Sequence, residues 1–354
     1  MFYVSEQLGR DVVPSFAGNA LPPLETLGQE PIYGWVTGRH LLDRNITDET
    51  ATLAGRLRLT LVKAEKKIPE ALLRAECRME ELAEMESTGA ESLPRAKRTE
   101  IKKEVTERLL PTMPPTLTAI PIVYDGNAGI IYAGATTDKQ VDALVGNFER
   151  TTGVKLTPLT PETASLKRKG YSLKDMSPTS FSPECQDQDG GDSAGMDFLT
   201  WLWFFFEKRG GTLMWGQEPA GVMIEGPLTL FMEGEGAHVT VLRNGAPLIA
   251  SEAKTAMLGG KKLKKAKVIC TIGQESFVAT VDADTFVMRA VKLPKPEAVD
   301  SVSQFESRML SLARFRDLFL HLYDRFLDER IDPARWKETQ QEIHQWLPER
   351  TGKA

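Results

Sequence analysis

Two lysine- and arginine-rich tracts are the residues of this chain best placed to do chemistry, and that chemistry is electrostatic. The first comprises Arg95, Lys97, Arg98, Lys102, Lys103 and Arg108, six cations set against the three acids Glu100, Glu104 and Glu107. The second, KTAMLGGKKLKKAK, supplies Lys254, Lys261, Lys262, Lys264, Lys265 and Lys267 with no acid between them. Duplex DNA carries about one negative charge per 1.7 Å of axis under a condensed counterion layer, so cations gathered on one surface gain free energy by releasing those ions. The plainer reading of either run is a solvated helix face or turn. Lysines without an ordered recognition motif predict phosphate contact with little base readout, because sequence is read at groove edges by positioned Arg, Asn or Gln. No zinc finger, zipper-linked basic region or RNP-type aromatic motif is present.

Patterns that would support catalysis are thin. Asp187, Asp189 and Asp192 resemble the first half of a calcium loop, but Gly191 replaces a ligand, Asp192 takes the turn glycine's place, and Phe198 stands where the bidentate acid belongs. A metal-dependent nuclease would need distant acids such as Glu65, Asp125 and Asp282 to meet, and no spacing recommends them. Gly190-Gly191 and Gly259-Gly260-Lys261 lack both the Walker spacing and the dinucleotide fingerprint and read as turns. Cys77, Cys185 and Cys270 lie far apart and outside any CxxC arrangement, and His40, His238, His321 and His344 show no paired spacing. No disulfide framework, metal centre, cofactor or catalytic residue is therefore expected. The aromatic run at Trp201, Trp203, Phe204, Phe205 and Phe206 is read either as a base-stacking platform or, more commonly at such density, as core or dimer interface.

The elements that must position the tracts follow from length and pattern. With 354 residues, 41% apolar and 26% charged, the chain is an ordinary globular mixture long enough for two to three compact units. Its net charge of −5 would repel a polyanion if spread evenly, so the local tracts decide the matter. The opening MFYVSEQLGRDVV lacks a basic stretch followed by a long apolar run, so no secretory signal is expected. Phe198 to Phe206 is about half the roughly 20 residues a membrane-spanning helix needs. A soluble, cytoplasmic protein without a membrane partner is the expectation.

The region 1–160 reads as α+β. Arg56-Leu57-Arg58-Leu59-Thr60-Leu61 alternates as a half-buried strand does. Pro69 suits a first helical turn, and Leu72, Leu73, Cys77, Met79, Leu82 and Met85 recur at helical spacing behind it. A second helix from about Arg95 to Leu110, stopped by Pro111, completes a helical hairpin over about 69–110. Ala119 to Tyr124 and Gly129 to Ala135 flank the turn Asp125-Gly126-Asn127-Ala128 as a β-hairpin, and a helix from about Asp138 to Thr151 follows with a short strand near Val154. Residues 161–195, rich in Pro, Gly and Ser without periodicity, read as a linker or insertion. The region 196–354 is a second α+β part: an aromatic helix Met196 to Lys208, strands around Val222 to Met232 and Ala237 to Leu242, and a helix at about Ser251 to Leu258. Strands at Lys267 to Ile272, Ser276 to Val281 and Phe286 to Leu293 come next, then closing helices at about Val299 to Asp328 and Pro333 to Trp346. Both halves place a helix ahead of an antiparallel hairpin, although no residue pattern repeats between them.

At the second helix the chain meets a known pattern. EIKKEVTERLLP, Glu100 to Pro111, resembles the helix and exit of the recombination-associated RdgC family. Three further stretches match in the same order: Gly34-Trp35-Val36, the Glu65-Lys66-Lys67-Ile68-Pro69 lead into the first helix, and the hairpin ending Tyr132-Ala133-Gly134-Ala135. The stretch from Ser251-Glu252 through Gly260-Lys261 is similar more loosely. The resemblance implies an RdgC-like protomer of antiparallel sheets, a long helical hairpin and C-terminal helices. It further implies a ring-forming homodimer with a positively charged hole for double-stranded DNA, nucleoid association, little sequence preference, and restraint of strand exchange by a RecA-type recombinase through the shared DNA. It establishes no catalysis, although the family also carries an exonuclease label. The chain departs from the pattern at Thr112, Met113 and Pro114, where a basic, a small and an aromatic residue commonly follow the LLP exit, and before Ser251, where Arg243 is the nearest cation to an expected basic pair.

The resulting expectation is a non-enzymatic protein that encircles DNA and limits strand exchange. Its predicted DNA contacts are Arg95, Lys97, Arg98, Lys102, Lys103, Arg108, Arg243, Lys254, Lys261, Lys262, Lys264, Lys265 and Lys267, brought by two-fold pairing onto one concave wall. A metal-dependent exonuclease and a protein-interaction scaffold without DNA binding are the alternatives, separable by DNA shortening in Mg²⁺ or Mn²⁺ and by mobility shift of a random-sequence duplex.

Overall fold

The computed structural model describes residues 1–9, 11–187, 193–232 and 238–349. The chain divides into Phe2–Leu156 and a second unit of Thr157–Ala354 together with Met1.

The first unit runs β1 (Phe2–Val4), α1 (Val12–Gly18), β2 (Ile32–Thr37), α2 (Asp48–Ala51), β3 (Thr52–Leu53), β4 (Arg56–Lys66), α3 (Glu70–Thr88), α4 (Arg95–Leu109), β5 (Pro115–Asp125), β6 (Ile130–Ala133), α5 (Asp138–Thr152) and β7 (Leu156–Pro158). Its sheet is ordered β2-β4-β5-β6-β1-β7, with β3 against β4. Alternation along β4 sends Leu57, Leu59 and Leu61 to one face, where they join Trp35, Phe148 and Phe16 in the main core. Trp35 donates its indole N–H to Thr151 Oγ1 at 2.9 Å, which fixes α5 across that face. The half-buried expectation holds only for the start of β4. From Thr60 onward both faces are covered, because Leu21, Leu24 and Leu27 pack on Val36, Val62 and Ala64 from the other side. Gly34 permits this crossing, since a Cβ there would lie 2.4 Å from the Leu21 backbone.

The helical hairpin forms over the expected residues, but of the six spaced apolar positions on α3 only Leu73, Cys77 and Met85 pack on α4, while Leu72, Met79 and Leu82 stay exposed. Gly89 ends α3 in the left-handed region at φ 67°, and its N–H caps Met85 O. Leu93, Ile101 and Val105 are buried between α3 and α4, with Leu73, Cys77, Met85 and Leu109 around them. No residue of α3 is itself buried. The hairpin therefore rests on one narrow apolar seam.

The second unit runs α6 (Pro161–Lys169), α7 (Ala194–Lys208), β8 (Thr212–Trp215), β9 (Glu218–Phe231), β10 (Val239–Leu242), α8 (Ser251–Leu258), β11 (Lys262–Ile272), β12 (Glu275–Asp282), β13 (Met288–Lys292), α9 (Ser301–Arg330) and α10 (Pro333–Glu349). Its antiparallel sheet is ordered β10-β9-β11-β12-β13, with β8 against β9. The inward face carries Val222, Ile224, Leu228, Leu230, Leu263, Ala266, Val268, Cys270, Phe277, Ala279 and Val281, all buried. Aromatic rings of α7 and α9 fill the space beneath: Phe198 meets Phe319 and Tyr323 edge-on at 5.5 and 5.0 Å, and Trp201 stacks on Phe205.

Two expectations need correction. The described part of 161–195 is not a linker. Tyr323 Oη donates to Pro161 O at 3.0 Å, Trp336 Nε1 to Thr179 Oγ1 at 3.0 Å, and Gln340 Nε2 to Ser180 O at 3.0 Å, while Ala164 and Phe181 are buried. The segment's first nine residues form α6, started by Thr160 and Pro161 and ended by Gly170 in the left-handed region, and side chains of α10 bond the stretch that follows. The strand expected from Lys267 begins at Lys262, its alternation obscured by lysines and by register shifts between Leu263, Lys265 and Lys267.

Candidate nucleic-acid interface

The first tract lies on α4, and Lys66 helps to hold its exit by donating Nζ to Pro111 O at 2.8 Å. Half of its cations are engaged. Arg108 reaches across to α3, meeting Glu80 at 2.7 Å and Glu76 at 3.0 Å. Lys97 sits 3.2 Å from Glu100 and 3.5 Å from Glu84, and Lys103 lies 3.9 Å from Glu107. Glu100 foremost, then Glu84, raises the Lys97 ammonium above its ordinary pKa, and Glu80 does the same to the Arg108 guanidinium. Arg95, Arg98 and Lys102 are exposed and have no ion-pair partner among the described residues. Their i, i+3, i+7 spacing puts them on one stripe, while Glu100, Glu104 and Glu107 fall on the opposite side at 3.6 residues per turn. The helix thus separates its charges, leaving a cationic edge that the net count of the tract understates.

The second tract is arranged differently. Lys262 points inward with 2% of its surface exposed, 2.5 Å from Asp197 Oδ1 on α7, with Arg330 Nε 3.5 Å from the other carboxylate oxygen. Its place among the predicted DNA contacts is therefore corrected: a buried ammonium paired to a buried carboxylate offers nothing to a phosphate outside. Lys265 and Lys267 stand on the outer face of the sheet, and each lies directly opposite an acid, Asp282 on β12 and Glu225 on β9, at 3.0 and 2.6 Å. Lys264 reaches Asp284 at 3.1 Å and lies over the Phe231 ring. Lys261 donates to Thr240 Oγ1 and Lys254 to Pro348 O, both at 2.8 Å. Arg243 is exposed between β10 and α8. Four of the six cations that stand together without acids in the sequence each meet an acid from elsewhere in the fold. Glu225, Asp197, Asp282 and Asp284 carry no local signal of that role, because cross-strand pairing is set by register rather than by sequence distance.

The acids considered for metal chemistry are occupied by cations. Lys63 and Lys67 bond Glu65 and pull its carboxyl below the usual carboxylate range. Asp125 lies 3.6 Å from Arg56 and nine strand positions from the residue opposite Glu65, at the other end of the β4–β5 pair. Asp282 accepts from Thr285 Oγ1 at 3.2 Å besides meeting Lys265. Asp187 of the calcium-like stretch accepts from Ser180 N and Gln340 Nε2, whereas Asp189, Gly190, Gly191 and Asp192 lie outside the described residues. Among the described residues no three His, Cys, Asp or Glu side chains gather as a metal-binding set, and no helix is long and apolar enough to cross a membrane. The stacking-platform reading of the aromatic helix is corrected as well, since Trp201, Trp203, Phe204 and Phe205 are all 1% exposed or less and form core within the unit. Burial pushes the Cys270 thiol up to about 12, which keeps it protonated.

Among protein families, residues 19–168 match the one described as "Putative exonuclease, RdgC". That span includes β2, the hairpin helices and the β5–β6 turn, and hence the Gly34, Glu65, Glu100 and Tyr132 stretches; the looser likeness from Ser251 lies beyond it. No curated protein matches the chain.

Proposed function

We propose, from the match of residues 19–168 to the RdgC family, that the chain binds double-stranded DNA through phosphate contacts with little sequence preference. In this reading the protein acts as a homodimer that closes around the duplex at the nucleoid and limits RecA-type strand exchange by occlusion, without cutting. The observation that carries the proposal is the exposed stripe Arg95, Arg98 and Lys102 on α4, inside the matched residues and clear of acids on its own side. Arg243 and the half-exposed Lys264, Lys265 and Lys267 supply a second, weaker surface. Mobility shift of a random-sequence duplex across a salt series tests it. Retardation that weakens steeply with salt supports phosphate contact, and a duplex that never shifts would favour an interaction scaffold. Light scattering of the pure protein reads the dimer.

The family's description as an exonuclease favours a second reading, cleavage of DNA from its ends. Labelled linear duplex incubated with the protein in Mg²⁺ or Mn²⁺ separates the two: constant length supports binding alone, and progressive shortening from the ends replaces occlusion with cleavage.

A further inference from the structure

The outer face of the second sheet is neutralised from within. Lys264, Lys265 and Lys267 keep 29%, 40% and 34% of their side-chain surface, so salt and phosphate can reach them, yet each touches a carboxylate. Two of the three acids have anchors of their own. Asp282 accepts from Thr285 Oγ1 at 3.2 Å, and Asp284 accepts from Ser193 Oγ at 2.8 Å. These carboxylates would stay in place if their lysines were drawn toward a polyanion. A phosphate approaching the strand must therefore draw each lysine off its acid, which is held in place for Lys264 and Lys265, and then sit close to that acid's charge. Each lysine still keeps part of its surface open to solvent, so such acids weaken contact without forbidding it.

We propose that Glu225, Asp282 and Asp284 limit the affinity of the DNA-binding surface, holding three otherwise competent lysines in reserve so that the protein grips DNA loosely enough to leave it. The inference rests on the proposed DNA binding and adds the residues that set its strength. It requires that these acids act locally through their lysines, and not through the net charge of the chain.

The test compares the wild-type protein with E225Q/D282N/D284N by fluorescence anisotropy on a labelled random-sequence duplex over a salt series. The triple variant binds more tightly at low salt, and the slope of log affinity against log salt steepens by about 0.9 for each lysine released, about 2.7 in all. A control, E297Q/E306Q/E338Q, removes the same charge from three exposed acids of the same unit and leaves the slope unchanged. Equal tightening in both triple variants overturns the inference, since net charge then explains it. An unchanged slope in the first variant, while R95Q/R98Q/K102Q weakens binding, overturns it and leaves the proposed function standing. Failure of the wild-type protein to bind duplex removes both. Should the triple variant not fold, E225Q alone, on the open face, carries the same test with a steepening of about 0.9.

Discussion

The α4 tract and the β11 tract hold equal numbers of cations in the sequence, six each, but differ in what the fold does with them. On α4 the acids belong to the same helix, and the helical period carries three of them away from Arg95, Arg98 and Lys102. On β11 the tract contains no acid, and the neighbouring strands, the turn after β12 and α7 deliver one to each of Lys262, Lys264, Lys265 and Lys267. A run of like charge along the chain is thus a poor measure of a charged surface: the mixed run leaves an open cationic edge and the pure run does not.

The sharpest way to break this contrast is through the interior of the second unit. Asp197→Asn leaves Lys262 and Arg330 buried without a counter-charge, and stability by chemical denaturation should fall by about 3–5 kcal/mol. Arg95→Gln on the exposed edge should change stability by no more than about 0.5 kcal/mol. Comparable losses at the two positions would erase the distinction between a structural and a surface cation.

DNA binding offers the next largest effect. R95Q/R98Q/K102Q removes three unopposed phosphate partners and should flatten the salt slope by about 2.7, whereas K264Q/K265Q/K267Q, already neutralised, should flatten it by clearly less. Equal flattening would mean that the strand lysines leave their acids at no cost.

The smallest effect is in acid. Lys63 and Lys67 depress the pKa of Glu65 in the folded state, so its contribution to stability is complete above the ordinary carboxylate value of about 4.3 and is lost as pH falls through the lower folded value. The thermal midpoint of the wild-type protein should exceed that of Glu65→Gln at neutral pH, and the gap should close below about pH 4. A gap that widens in acid would reverse the assignment. Thiol labelling adds a check on the interior: native Cys270 should resist alkylation at neutral pH, while Cys77 and Cys185, both partly exposed, react first.

Much of the fold was legible where local chemistry is strong. Pro69 and Pro111 bound the helical hairpin, because breakers act within a few residues, and Ser251 to Leu258 is the helix expected there. In the segment 161–187, Thr160, Pro161 and Gly170 did mark α6 locally, but the stretch after it was not legible, since its partners Trp336 and Gln340 lie some 150 or more positions away. The candidate site divides along the same line. The spacing of Arg95, Arg98 and Lys102 reveals their shared stripe, but the burial of Lys262 depends on Asp197 in another element, and no periodicity announces it.

That lost lysine has a use of its own. Alternate residues of β11 face the aromatic core, so sliding the strand by one position would expose Val268 and Cys270 and drive Lys265 and Lys267 inward. The ammonium of Lys262, seated on the carboxylate of α7, is a charged tooth that fits only one alignment of strand and helix. One cation given up to the interior thereby helps to keep two others at the water's edge.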